Sequence, residues 1–277
     1  MLTSLYIETP QYNSKLGRML GRLMFDTMRV EIRSAEDINV KCIEYINRSG
    51  KVNFSKIDKE VGAQRNRLLC KADLQLPENS GYRRFYSLEF KARLCTNLAI
   101  GLLASLSEYN LSVGLIDEHA SFTTLPKYLL SYTDSVVVVT KESEIYRELN
   151  ESLLHDIGAP IRISKSKNSL YTCDLILAPA PIKDSIGFNN HALILTAQKP
   201  EVSVDSTVIY DYHLELSDDL LSIKPKGLSD TYFAGALYTL LKVYRLGSKL
   251  PDLCISENKV HTPESLKALL KNIHDKT

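Results

Sequence analysis

No Cys-X-X-Cys pair occurs in this 277-residue chain, whose five cysteines, Cys42, Cys70, Cys95, Cys173 and Cys254, are odd in number and widely spaced. That excludes the paired spacing with which structural zinc sites and thiol redox motifs usually begin. It predicts reduced, mostly buried thiols in a cytoplasmic protein. Long apolar runs are missing too. The longest uncharged apolar-rich run, Leu94 to Ser107, is shorter than the roughly 20 residues a membrane-spanning helix needs. The opening residues, MLTSLYIETPQYNSK, lack the basic and apolar regions of a secretory signal. Nor does one sign of charge dominate: 34 Lys and Arg stand against 33 Asp and Glu, a net charge of +1. No global field draws the chain to nucleic acid or to a membrane. A mild asymmetry remains, since residues 1–110 carry 17 basic against 12 acidic side chains and the remainder 17 against 21. Solvated helix faces account for such a split, although a basic lobe also suits an anion.

The length favours two unequal domains. In the front part, Leu16, Met19, Leu20, Leu23 and Met24 recur at helical spacing, with Gly17 and Gly21 on one face, and Met28, Val30 and Ile32 alternate as in a half-buried strand. Ser34, followed by Ala35, Glu36 and Asp37, reads as an N-cap with an acidic first turn, which predicts a helix reaching about Asn47. A short helix from Ser55 to Val61 and a strand from Arg67 to Cys70 follow. The loop Leu76-Pro77-Glu78-Asn79-Ser80-Gly81 closes a small α/β lobe, residues 1–81. A long apolar helix within 82–110 connects it to the rest.

From Ser112 onward the alternation is regular. Strands are expected at Ser112–Ile116, Ser135–Val139, Ile161–Ile163, Asp174–Leu177, Leu193–Thr196 and Thr207–Tyr210, with helices between the early ones. Val136 to Val139 and Leu175 to Leu177 are apolar on both faces, as strands covered on two sides must be. N-capped helices at Ser229–Tyr244, closed by Gly247, and at Thr262–His274 end the chain. The fold class is therefore α/β, a doubly wound, mostly parallel sheet over 111–277 with a smaller N-terminal lobe. This order of elements resembles the Rossmann-like domain of dehydrogenases, which implies a dinucleotide site beyond the carboxyl ends of the strands.

The phosphate loop of that fold is missing. After the first strand, where glycines would let backbone amides approach a pyrophosphate, stand Asp117, Glu118, His119, Ala120, Ser121 and Phe122; Gly114 lies inside the strand. At the end of the second strand, where an acidic residue would hold the ribose of NAD, Thr140 and Lys141 occur, a pair suited to a 2′-phosphate. Pro179 and Pro181 stiffen the lip after the fourth strand, and Gln198 follows the fifth. These residues are the cofactor-side candidates.

Asp117 and His119, two apart, form a possible carboxylate-oriented imidazole for general-base work. Asp211 and His213 repeat the spacing. A metal set built from both pairs is not expected, because a sixth strand belongs at the edge of the sheet, far from the first. No GxSxG elbow is present, and nucleophilic catalysis finds little support. In the front lobe Tyr82-Arg83-Arg84-Phe85-Tyr86, with Arg65, Arg67 and Lys71 nearby, combines arginines and aromatics. Arg83 and Arg84 are the anion-binding candidates there, and nucleic acid is an unfavoured partner. The expectation is a binding or scaffold protein on a degenerate Rossmann-like frame, with a small anionic ligand lodged between the lobes. The alternative is an NADP-dependent oxidoreductase with an atypical phosphate site, using Lys141 and His119.

Overall fold

A computed structural model of the chain describes residues 1–11, 24–182, 191–202, 204–257 and 259–276. The helix expected around Leu16 to Met24 lies almost wholly outside them. By contact the chain divides into two units: residues 1–87 with 215–246, and residues 88–214 with 247–277. The stretch 215–246 thus groups with the N-terminal residues, and cuts across the segment whose sequence alternates like one domain.

The first unit opens with strand β1 (Leu2–Glu8), followed by β2 (Thr27–Ala35) and β3 (Ile38–Ile46). β3 is central, parallel to β1 and antiparallel to β2. The helix expected after Ser34 does not form. Glu36 turns the chain with φ +49°, Ala35 pairs with Ile38, and the segment becomes the second arm of a hairpin. Burial decides against the N-cap signal: Ile38, Val40 and Cys42 are buried on one face of β3 and Ile43 and Tyr45 among the buried residues beside them, an arrangement that a strand between two covers satisfies. Helix α1 (Phe54–Val61) is capped by Asn53, whose side chain accepts from the Lys56 amide, and packs Ile57 and Val61 against Leu5, Ile43 and Tyr45. The strand expected at Arg67–Cys70 is reduced to single bridges, Ser4 to Leu69 and Leu68 to Arg84, after a 3₁₀ turn at Gly62–Arg67.

The second unit begins with α2 (Leu88–Ser105), buried along Phe90, Leu94, Cys95, Leu98 and Leu102. Strands β4 (Val113–Ile116), β5 (Val136–Val139), β6 (Arg162–Ser164), β7 (Leu175–Ala178), β8 (Leu193–Thr196) and β9 (Thr207–Ile209) form one sheet in the order β6-β5-β4-β7-β8-β9. Every pairing in it is parallel. Helices α3 (Leu125–Leu129) and α4 (Ser143–Asp156) join β4 to β5 and β5 to β6. Four of the six strands are buried at every position, which is why they read as continuous apolar runs. Gly114 has a packing role: a Cβ there would come within 2.5 Å of Leu170 Cδ2 and 3.3 Å of Cys173 Sγ.

β10 (Asp211–His213) leaves this sheet. The chain then supplies α5 (Asp218–Ile223) and α6 (Asp230–Leu241) to the first unit. There α5 packs on β2, and Arg33 donates to the Lys224 carbonyl at 2.9 Å. Ser229 caps α6 as its sequence suggests, but the helix ends at Lys242, in the left-handed region with φ +59°, before it reaches Gly247. Back in the second unit, β11 (Leu253–Ser256) pairs antiparallel with β10 and with β12 (Lys259–His261). α7 (Pro263–His274) follows, its Thr262 cap and Ser265 closing a capping box. All five cysteines are free and buried. Among the described residues no helix is long and apolar enough to cross a membrane.

Candidate functional site

In an open parallel sheet the strand order 3-2-1-4-5-6 reverses at the first strand, and ligands of this fold lie beyond the carboxyl ends there. The residues in that place are those after β4, β5 and β6. Asp117 follows β4 directly and is 2% exposed. Its carboxylate accepts from the Ser121 amide at 2.9 Å, the Phe122 amide at 2.7 Å and the Tyr146 hydroxyl at 2.6 Å. Tyr146 reaches it from α4 and is itself fully buried, so burial, then the bond to Asp117, drives its phenol pKa far upward. Turn amides that could meet an incoming anion are thereby taken by an internal carboxylate. Ala120, at φ +52°, lies within the same turn.

Glu118 continues the pattern. Its two oxygens bind Lys141 Nζ at 2.5 Å and Lys167 Nζ at 2.9 Å. The Lys141 and Lys167 hydrogen bonds outweigh desolvation and hold the Glu118 carboxyl at about 2. The Lys141 amide also donates to the Glu118 carbonyl at 3.1 Å. Thr140 is buried and its hydroxyl accepts from the Glu142 amide at 3.0 Å. His119 is exposed in the same turn.

Asp117, His119, Thr140 and Lys141 are therefore brought to one end of the sheet by the adjacent strands β4 and β5. Pro179 is buried just past β7, and the Gln198 carbonyl accepts from the Thr196 hydroxyl at 3.2 Å past β8. Asp211 and His213 lie on β10, in the other sheet of this unit, where Asp211 pairs with Lys91 at 3.0 Å. No group of three His, Cys, Asp or Glu suited to a metal occurs among the described residues. In the first unit, Arg84 donates to the Cys70 carbonyl at 2.9 Å and stacks its guanidinium 4.1 Å above the Tyr232 ring. Arg65 and Arg67 donate to the Gly62 carbonyl and the Gln64 side chain. Arg83 is exposed.

Sequence reasoning passed over Tyr146 and Lys167. Tyr146 is the one aromatic residue of α4, a signal that only the fold turns into a contact with Asp117. It also passed over a 370 Å³ cleft at the β9 edge of the second unit. Its polar lining includes Lys199, Lys259, Glu257, Ser256 and His261, beside the apolar Val202, Val204 and Val208. Lys199 lies over the Tyr210 ring and Ser256 Oγ sits 3.1 Å from His261 Nε2. Burial, then the charge of Lys259, pulls the His261 pKa below its ordinary value. Such a lining suits a small ligand with an anionic end.

The strand order and the all-parallel pairing make this unit a Rossmann-like α/β fold. The chain matches no known family and no curated protein. Among solved structures it is similar to L-tryptophan dehydrogenase from Nostoc punctiforme, at 10% identity over 99% of this chain and 79% of that one, with a TM-score of 0.32. It is also similar to phosphoglycerate oxidoreductase from Vibrio cholerae O395, at 9% identity over 88% of this chain and 99% of that one, with a TM-score of 0.35.

Proposed function

We propose that this protein is a binding or scaffold protein on a Rossmann-like frame that takes no dinucleotide in the ordinary way. One observation carries the reading: the Ser121 and Phe122 amides after β4 donate to the Asp117 carboxylate. In a dinucleotide site such amides face the pyrophosphate. A second negative group, Glu118, stands in the same turn and neutralises the lysines that would otherwise attract phosphate. The donor set thus does not fit a pyrophosphate. The ligand in this reading is a small anion, and the cleft beside β9, where Lys199 and Lys259 stand against Glu257, is the surface within the second unit that supports it.

A specific observation keeps a second reading in play: Lys141 and Lys167 flank the ends of β5 and β6, where a 2′-phosphate of NADP would be met, with His119 exposed nearby. Thermal melting separates the two. With NAD and NADP each at millimolar concentration, the first reading expects no change in Tm, whereas a rise of several degrees with NADP alone overturns it.

A further inference from the structure

β2 has a strand neighbour on one side only among the described residues, and its nine residues pair with β3 without a break from Thr27 opposite Ile46 to Ala35 opposite Ile38. Met28, Val30 and Ile32 share one face of it and are 37%, 39% and 60% exposed. The opposite face carries Arg29, Glu31 and Arg33. Exposed edges are usually disarmed by lysine, proline or a bulge. β2 has none of these. What it has instead is charge that alternates in sign, and that alternation selects an occupant.

We propose that the free edge of β2 pairs antiparallel with β2 of a second copy of this chain, with Val30 on the twofold axis. In a symmetric antiparallel pair the residue on the axis fixes every other contact. With Val30 there, Met28 faces the partner's Ile32, and Arg29 faces the partner's Glu31, each contact occurring twice. Placing Glu31 on the axis sets it against itself and Arg29 against the partner's Arg33, which like-charge repulsion penalises. Placing Ile32 there sets Glu31 against the partner's Arg33 and Val30 against the partner's Ser34. Arg33 is already engaged, its side chain 24% exposed, 3.4 Å from Glu31 of its own strand, 3.9 Å from Glu44 and donating to the Lys224 carbonyl. Arg29, by contrast, is 75% exposed beside a 3.5 Å contact to Glu31 of its own strand. The Val30 register alone uses the available charge and keeps the apolar row matched. A contact confined to one strand edge is at the small end of interface sizes, below about 1,200 Å², so the dimer should dissociate in the micromolar range.

Sedimentation velocity of the full chain over micromolar to submillimolar concentrations tests this. The expected result is an apparent mass rising from 31.2 kDa toward twice that value. Arg29→Glu and Glu31→Arg each place like charges opposite in the homodimer, so each variant alone should stay monomeric; because Arg29 also faces Glu44 of β3 and Glu31 lies between Arg29 and Arg33 of its own strand, each should melt cooperatively at a slightly lower Tm. Their equimolar mixture restores both unlike pairs and should dimerise as the parent does. Val30→Lys should abolish association on either background. A parent chain monomeric throughout overturns the proposal. So does a dimer indifferent to all three substitutions, which would use another surface. Hydrogen exchange supplies the remaining outcome: protection of the outward β2 amides that does not change with concentration would assign the edge to another part of this chain, and overturn it too.

Discussion

The two ends of the parallel sheet each bury a carboxylate, and they support it differently. At the carboxyl end, Asp117 takes three hydrogen bonds, all from within residues 121–146 of its own unit. At the amino end, Asp174 precedes β7 and accepts from the Ser112 amide at 2.9 Å and from His274 Nδ1 at 3.0 Å, all on Oδ2. Its Oδ1 is buried with no partner among the described residues. The His274 side chain, on α7, is 33% exposed and meets the Tyr109 ring edge-on at 6.1 Å. One carboxylate is therefore held by two amides of the turn it begins and by the Tyr146 hydroxyl, and the other is completed by the last turn of α7. The carboxylate at the end where this fold places ligands is the more fully hydrogen-bonded of the two.

Removing each support should separate them. Asp117→Ala strands two turn amides and the Tyr146 hydroxyl, and is expected to cost about 3 kcal/mol in urea unfolding. Asp117→Asn, which keeps one acceptor oxygen, should fall between that variant and the parent. His274→Ala leaves Asp174 its Ser112 bond and should cost about 1 kcal/mol; a loss equal to that of Asp117→Ala would erase the distinction. The smallest effect belongs to Glu118→Gln, at about 0.5–1 kcal/mol near neutral pH, as for a partly exposed ion pair. Its sign with pH is fixed: a carboxyl held at about 2 in the fold and near 4.3 unfolded stabilises above the higher value. That contribution is lost as pH falls toward the lower one. The stability difference between parent and Glu118→Gln should therefore shrink as pH falls below about 4, and an unchanged gap at pH 2 to 3 would deny the ion pairs their role.

Much of the second unit was legible in the sequence because its strands are apolar on both faces, and a run such as Val136 to Val139 has few other uses. The edge position of the strand before Asp211 followed from the same order. Local signals failed where tertiary burial outweighed them. Ser34-Ala35-Glu36-Asp37 satisfies every rule of a helix start, yet the residues beyond it are buried as a strand, and two covers for β3 outweigh one cap. At the candidate site, Asp117 and Lys141 were visible by position. Their partners were not, because Tyr146 meets Asp117, and Lys167 joins Lys141 on Glu118, only once α4 and the turn after β6 are folded back. The short strands β11 and β12 went unread for a related reason: with three to four residues each, they pair with one another, and β11 with β10, rather than with the main sheet.

The division of the first unit between residues 1–87 and 215–246 bears on how the chain is made. At roughly 5–20 residues per second, a ribosome spends on the order of ten seconds on residues 88–214. Throughout that interval β2 lacks α5, and the carbonyl that Arg33 will bind does not yet exist. A nascent chain cut before residue 215 would present a sheet with one cover missing, so gene fragments meant to isolate the N-terminal lobe should carry 215–246 spliced to residue 87, and those ending at residue 87 are the ones to expect in inclusion bodies.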